Sequence, residues 1–276
     1  MTIRVRLLAF LFGAAMSMGS ISAVALTLTI EPEADTSLFE VAVAAPETAN
    51  SRGVHLFAGR ITTGERRRAL LRFNLSAIPA ASTITSAQLS LSLTRDPPGP
   101  LPAVNFSLYP LASAWGEGSS DAGDPGGNGT VATPGDPTWT QRAFPATPWS
   151  NAGGDVAMSA DATTAANTLG RYQWGSTSAM VNTAQLWVDF PSTNFGWALL
   201  ADESAGTLTA RRFASREAVN ANTRPQLLIE YTPANVGPPG QVSSIPTLST
   251  IGNIALLLMM AWLAHRHVQR QRALSR

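Results

Sequence analysis

Between Ser86 and Leu93 the chain alternates polar and apolar residues without a break, so that Ala87, Leu89, Leu91 and Leu93 share one face and the serines share the other. A period of two predicts a half-buried antiparallel strand. The pattern recurs at Val104, Phe106 and Leu108, with Asn105 and Ser107 facing out. It recurs again at Leu71, Phe73 and Leu75, before Ile78-Pro79, and at Leu227, Ile229 and Tyr231 within 226–231. Pro and Gly clusters such as Arg95-Asp96-Pro97-Pro98-Gly99-Pro100 punctuate these runs. Short alternating strands separated in this way predict an all-β, antiparallel sandwich. One segment departs from the rule. Met180, Val181, Ala184, Trp187 and Val188 recur at helical spacing, with Ser178 placed to cap a short helix and Pro191 to stop it. A strand is the other reading of that segment.

The two ends are apolar in a different way. Arg4 and Arg6 precede an apolar stretch from Leu7 to Ala15, and Ala23-Val24-Ala25 fits a small-residue cleavage site. This predicts a signal peptide over 1–25; an uncleaved anchor is the alternative, against which the apolar core is short. The body is expected over 26–232, followed by a Pro/Gly linker over 233–244. The segment 245–276 holds Ile245-Pro246-Thr247-Leu248, an apolar run ending at Ala264, and a basic tail with Arg270, Arg272 and Arg276. A transmembrane helix over about 248–264 is near the lower limit for crossing a bilayer, and the flanking arginines place the C-terminus in the cytoplasm.

Charge changes the picture once the ends are set aside. The chain is +1 overall, but six of its 19 cations (Arg4, Arg6, Arg266, Arg270, Arg272 and Arg276) lie in the ends, while all 18 acidic residues lie between them. The body is therefore mildly acidic, which is no footprint for nucleic acid. There is no Cys, which excludes disulfides, thiol nucleophiles and Cys-based zinc sites. An exported body without disulfides must rest on its core; at about two hundred residues one domain buries roughly 70% of its extended-chain surface.

Two resemblances follow from particular residues. Ile245-Pro246-Thr247-Leu248, the apolar run and the basic tail resemble an IPTL-CTERM sorting signal. That resemblance implies an exosortase-type sorting transpeptidase as partner, at least transient residence in the inner membrane, and then release to the cell surface or beyond. The body resembles a DNRLRE domain, related to carbohydrate-binding modules of jelly-roll fold. The resemblance is carried by Arg68-Ala69-Leu70-Leu71-Arg72-Phe73-Asn74-Leu75, by Trp115-Gly116-Glu117-Gly118, by Trp187-Val188-Asp189-Phe190-Pro191 running to Trp197, and by Arg212-Phe213-Ala214-Ser215-Arg216-Glu217. It implies adhesion or glycan binding, although fold alone assigns no function.

Several residues carry candidate chemistry. Trp115, Trp139, Trp149 and Trp174 either form a stacking platform for sugar rings or fill the core; for Trp187 and Trp197, on periodic segments, core is the expectation. Asp121, Asp124 and Asp136, with Asn128, lie in or beside a Gly-rich loop and are either calcium ligands or turn formers; no metal site and no other cofactor is expected. Arg66-Arg67-Arg68, near Arg60 and Arg72, either meets acidic polysaccharide or phosphate or is a solvated strand entry. Arg216-Glu217 and Arg224 are expected to tie strand ends together. Catalysis has thin support: His55 is the one histidine away from the tail, and no Gly-x-Ser-x-Gly elbow exists. Glu117 with Asp136 or Asp155 is the nominal carboxylate pair for glycoside cleavage. The expectation is a non-catalytic exported protein that binds or organises extracellular polysaccharide. A purely structural matrix or appendage protein, and a polysaccharide lyase or hydrolase, are the alternatives.

Overall fold

A computed structural model describes residues 24–95, 102–234, 257–262 and 265–266. The chain divides after Ala234 into a body and a C-terminal unit. The body is built on a curled antiparallel sheet of eleven strands. In chain order these are β1 (Leu26–Ile30), β2 (Ala34–Phe39), β3 (His55–Arg60), β4 (Arg66–Arg72), β5 (Thr83–Arg95) and β6 (Val104–Pro110). They continue as β7 (Ala162–Ala166), β8 (Gly170–Gly175), β9 (Trp197–Leu200), β10 (Arg211–Ala214) and β11 (Gln226–Thr232). The order across the sheet is β1-β11-β5-β10-β3-β4-β9-β6-β7, with β8 also beside β5 and β2 beside β4.

The curl turns on β3. Through His55–Ala58 it pairs with β10, and at Gly59 and Arg60 it changes partner to β4. Gly59 has φ +112°, and a Cβ there would lie 2.5 Å from the Thr209 backbone, so only glycine fits the turnover. The two halves of the sheet close on one apolar core. Leu89, Leu91, Phe213 and Ile229 enter from one half, and Leu71, Phe106, Leu108 and Trp197 from the other. Phe106 and Phe213 meet edge to face with ring centroids 5.2 Å apart.

The alternating segments form the expected strands, and Ala87, Leu89, Leu91 and Leu93 are buried together. Ser90 and Ser92, expected to face solvent, are buried as well. Central β5 runs between β8 and β11, and Arg171, opposite Ser92, donates to Gln226 Oε1, opposite Ser90, at 2.8 Å. These two long side chains bridge over the serines and shield them.

The helix predicted near Ser178 is α1 (Ser178–Asp189), with Met180, Ala184, Trp187 and Val188 buried. Its cap is Thr177, one residue before the expected Ser178: the Thr177 hydroxyl accepts from the Met180 amide at 3.1 Å. Trp187 lies against Trp197 with centroids 4.3 Å apart, so both indoles are core.

Residues 1–23 of the expected signal peptide, 235–244 of the linker, the motif Ile245–Leu248 and most of the expected membrane span lie outside the described residues. In the C-terminal unit, 257–262 and 265–266 are helical, and the apolar side chains of Leu257, Leu258, Met259, Met260 and Trp262 are exposed. Among the described residues no helix is long and apolar enough to cross a membrane.

The capping geometry sets a test. Thr177→Ala is expected to lower unfolding stability by about 1 kcal/mol, and Ser178→Ala by less than about 0.5 kcal/mol, in chemical denaturation of the two variants.

Candidate functional site

A pleated strand sends successive side chains to opposite faces. On β4 this splits the three consecutive arginines. Arg66, Arg68, Leu70 and Arg72 point outward, while Ala69 and Leu71 point into the main core. On the outer face a second apolar cluster forms, in which Leu38, Leu70 and Leu111 pack with Trp115, Trp139 and Trp149. Arg66 and Arg68 each lie over Trp139, at 4.8 Å and 5.0 Å from the ring centroid, and Arg72 lies over Trp115 at 5.1 Å. Such stacking contributes roughly 0.5–2 kcal/mol each. The guanidiniums are themselves held: Arg66 by Glu40, at 2.8 Å and 2.6 Å, and Arg68 by Glu203, at 2.8 Å and 2.7 Å.

The four tryptophans considered for a sugar platform are thus interior. Trp115, Trp139, Trp149 and Trp174 are 4%, 5%, 5% and 0% exposed, which leaves no ring face for a ligand. Three of them spend the indole N–H on a backbone carbonyl: Trp115 on Phe195, Trp149 on Thr138 and Trp174 on Phe106. The arginine run is likewise no solvated entry, since its members are stacked, paired or buried.

The acidic residues considered for calcium do not converge. Asp136 is fully buried and accepts from the amides of Ser119, Ser120 and Thr133 and from the hydroxyls of Ser51 and Thr133. Burial pushes this carboxyl up, but those donors together outweigh it and hold it below the usual range. Asp121 accepts from the Gly123 amide in a local turn. Asp124 faces His55 and Arg212. Asp155, the other member of the nominal pair, accepts from Ser113 and from the Asn151 amide. Glu117 is taken by Arg216.

That last contact belongs to a cluster missed in the sequence. Asp35, Glu117 and Glu217 bring carboxylate oxygens within 4.8 Å of one another. Arg216 binds Glu117 through two bonds, at 2.7 Å and 2.6 Å, and reaches Glu217 at 2.9 Å; its amide donates to Asp35 Oδ2 at 2.8 Å. One arginine serves three acids, two through its guanidinium and one through its backbone amide. Burial first, and then the charge of Glu217, push the Asp35 carboxyl well above its usual range. A side-chain hydrogen bond links it to Glu217, whose own carboxyl burial also pushes up. Arg224 ties the neighbouring turn, donating to the Ala218 carbonyl at 3.0 Å and facing Glu31 at 3.6 Å.

A concentration of like charge lines an open cleft of about 430 Å³ where β3 changes partner. Arg67, Arg95, Arg211 and Arg212 line it, with no carboxylate among the lining residues. Phe57, Ile61 and Pro125 give it an apolar wall, and Asn128 adds an amide. Arg67 and Arg211 are 5% and 2% exposed. Burial lowers the affinity of Arg67 and Arg212 for their protons; for Arg212 the charge of Arg95 acts in the same sense and that of Asp124 against it. At the rim, His55 Nε2 lies 3.1 Å from Asp124 Oδ1. Burial, and then the charge of Arg212, push His55 below its usual range, so it is neutral at pH 7.

No protein-family model matches the chain, and no curated protein matches it.

The acid cluster generates a pH prediction. An unfolded aspartate releases its proton above about pH 4, whereas folded Asp35 keeps it, so the cluster's contribution is complete below that pH and declines as pH rises through the folded value. An amide at the position mimics the protonated acid. Asp35→Asn is therefore expected to gain on the parent by up to about 1.4 kcal/mol per pH unit over that interval, in denaturation midpoints measured as a function of pH.

Proposed function

We propose that this chain is a non-catalytic, exported protein that binds or organises extracellular polysaccharide, and that the arginine-lined cleft beside β3 and β10 is its binding site. The supporting observation is the make-up of that cleft: guanidiniums and an amide line it together with a half-buried phenyl ring, Phe57. Sugars need this combination, because their C–H faces pack on apolar surface while hydroxyls and acidic substituents seek fixed polar groups. The site replaces the tryptophan platform, whose members are interior.

In this reading the sandwich has jelly-roll topology and residues 1–25 direct export. The Ile245-Pro246-Thr247-Leu248 motif then hands the body to a sorting transpeptidase at the inner membrane, and no cofactor takes part. Mass spectrometry of the mature protein is expected to find a C-terminus at or near that motif; an intact Arg276 would remove the sorting step from the proposal.

The binding half is tested on a glycan array with the full-length chain. Retention is expected to fall about tenfold with Phe57→Ala, the loss of roughly one well-packed contact. Trp149→Phe is expected to cost about 1–3 kcal/mol of stability and leave retention unchanged, since that indole is interior. Retention on no glycan would favour a purely structural matrix protein.

A further inference from the structure

Arg67 is the member of the cleft whose environment asks for a ligand. Its guanidinium lies over the Phe39 ring at 5.0 Å, and Nη1 donates to the carbonyls of Glu40 and Arg66 at 3.0 Å and 2.9 Å. Among the described residues its Nε is buried with no partner, and it forms no ion pair. The nearby acids are engaged elsewhere: Glu40 with Arg66, and Glu65 with the Thr63 hydroxyl. Their charges reach Arg67 only at a distance, and burial outweighs them; a guanidinium taken out of water with no carboxylate bonded to it costs several kcal/mol, unless an anion comes to it.

Two more cations share the cavity. Arg95, at the end of β5, has no carboxylate partner among the described residues. Arg212 has one, Asp124, at 3.5 Å; that carboxylate sits on a side chain 72% exposed to solvent and is shared with His55. Asp124 immediately precedes Pro125, which walls the cleft with Gly127 and Asn128. A loop carboxylate thus occupies one of the cation positions from outside, loosely, while among the described residues Arg67 and Arg95 have no carboxylate bonded to them.

We infer that the cleft takes an acidic sugar residue, a uronate carboxylate or a sulfate ester on a polysaccharide, with the anion held by Arg67, Arg95 and Arg212 and the ring against Phe57. Asp124 is its internal competitor. It screens Arg212 in the empty cleft and is displaced when the polymer's anion enters. The inference rests on the reading that this cleft binds glycan, and adds the charge of the ligand and the groups that read it.

The test is calorimetric titration of the full-length chain with three oligosaccharides: an oligogalacturonate, a sulfated heparin fragment and a neutral dextran fragment. Each is titrated at low and at high salt. One or both anionic sugars are expected to bind, with affinity falling as salt rises, and the dextran fragment at least tenfold more weakly. Which anionic sugar binds distinguishes carboxylate from sulfate. Arg95→Gln and Arg212→Gln are each expected to weaken binding about tenfold, the worth of one charge-assisted hydrogen bond. Asp124→Asn is expected to strengthen binding several-fold, a gain that damage to the fold would not produce. Arg67→Gln carries a stability cost, so the exposed Arg95 decides the case. Equal affinity for neutral and anionic sugars, unchanged by Arg95→Gln, would overturn the inference and leave glycan binding standing. Binding of none of the three would overturn both, and an unchanged affinity in Asp124→Asn would remove the competitor.

Discussion

The alternation of side chains across β4 is the constraint on which the rest of the body depends. Three consecutive arginines cannot share a face of a strand. Arg66 and Arg68 go outward onto Trp139, and Arg72 follows two positions beyond Leu70 onto Trp115. Arg67 goes the other way and arrives at the cleft. One strand thereby fastens the long excursion after β6 and supplies the buried cation of the candidate site. The excursion has little regular structure of its own, and its backbone is held by contacts such as Arg68 to the Gly153 carbonyl at 2.8 Å and Arg72 to the Trp115 carbonyl at 2.9 Å. Exposed ion pairs contribute little. Those of Arg68 and Glu203 are only 11% and 15% exposed, and they act together with stacked rings.

What was legible in the sequence was the part in which burial is local and periodic. Ala87 to Leu93, Val104 to Leu108, Leu227 to Tyr231 and the face of α1 each announce their own buried side, because the core lies on one side of the element throughout. β3 did not, because Gly59 breaks its alternation where the strand changes partner. Trp115, Trp139 and Trp149 sit in aperiodic segments, and their burial is decided by the outer face of β4, which no local pattern reveals. The acid cluster is harder still, since Asp35 and Arg216 meet across 181 residues. One signal was available for the cleft: a run of three arginines read together with the strand period that follows it already separates Arg67 from its neighbours.

The distribution of charge bears on what chemistry the body can perform. A hydrolase acting through two carboxylates needs an acid that keeps its proton and can reach the substrate. Burial raises the Asp35 carboxyl, but the residue is 1% exposed, and its Oδ2 is occupied by the Arg216 amide. Asp136 is open to the opposite objection, since its donors hold it ionised and it is fully buried. Neither can deliver a proton to a bound chain, and both explain themselves as fasteners of loops to strands. Acids spent in this way are withdrawn from the cleft, so a body that is acidic as a whole can still present a locally cationic opening. Its affinity for an anion is then governed by the few groups lining it, and its salt dependence by how many of them the ligand neutralises.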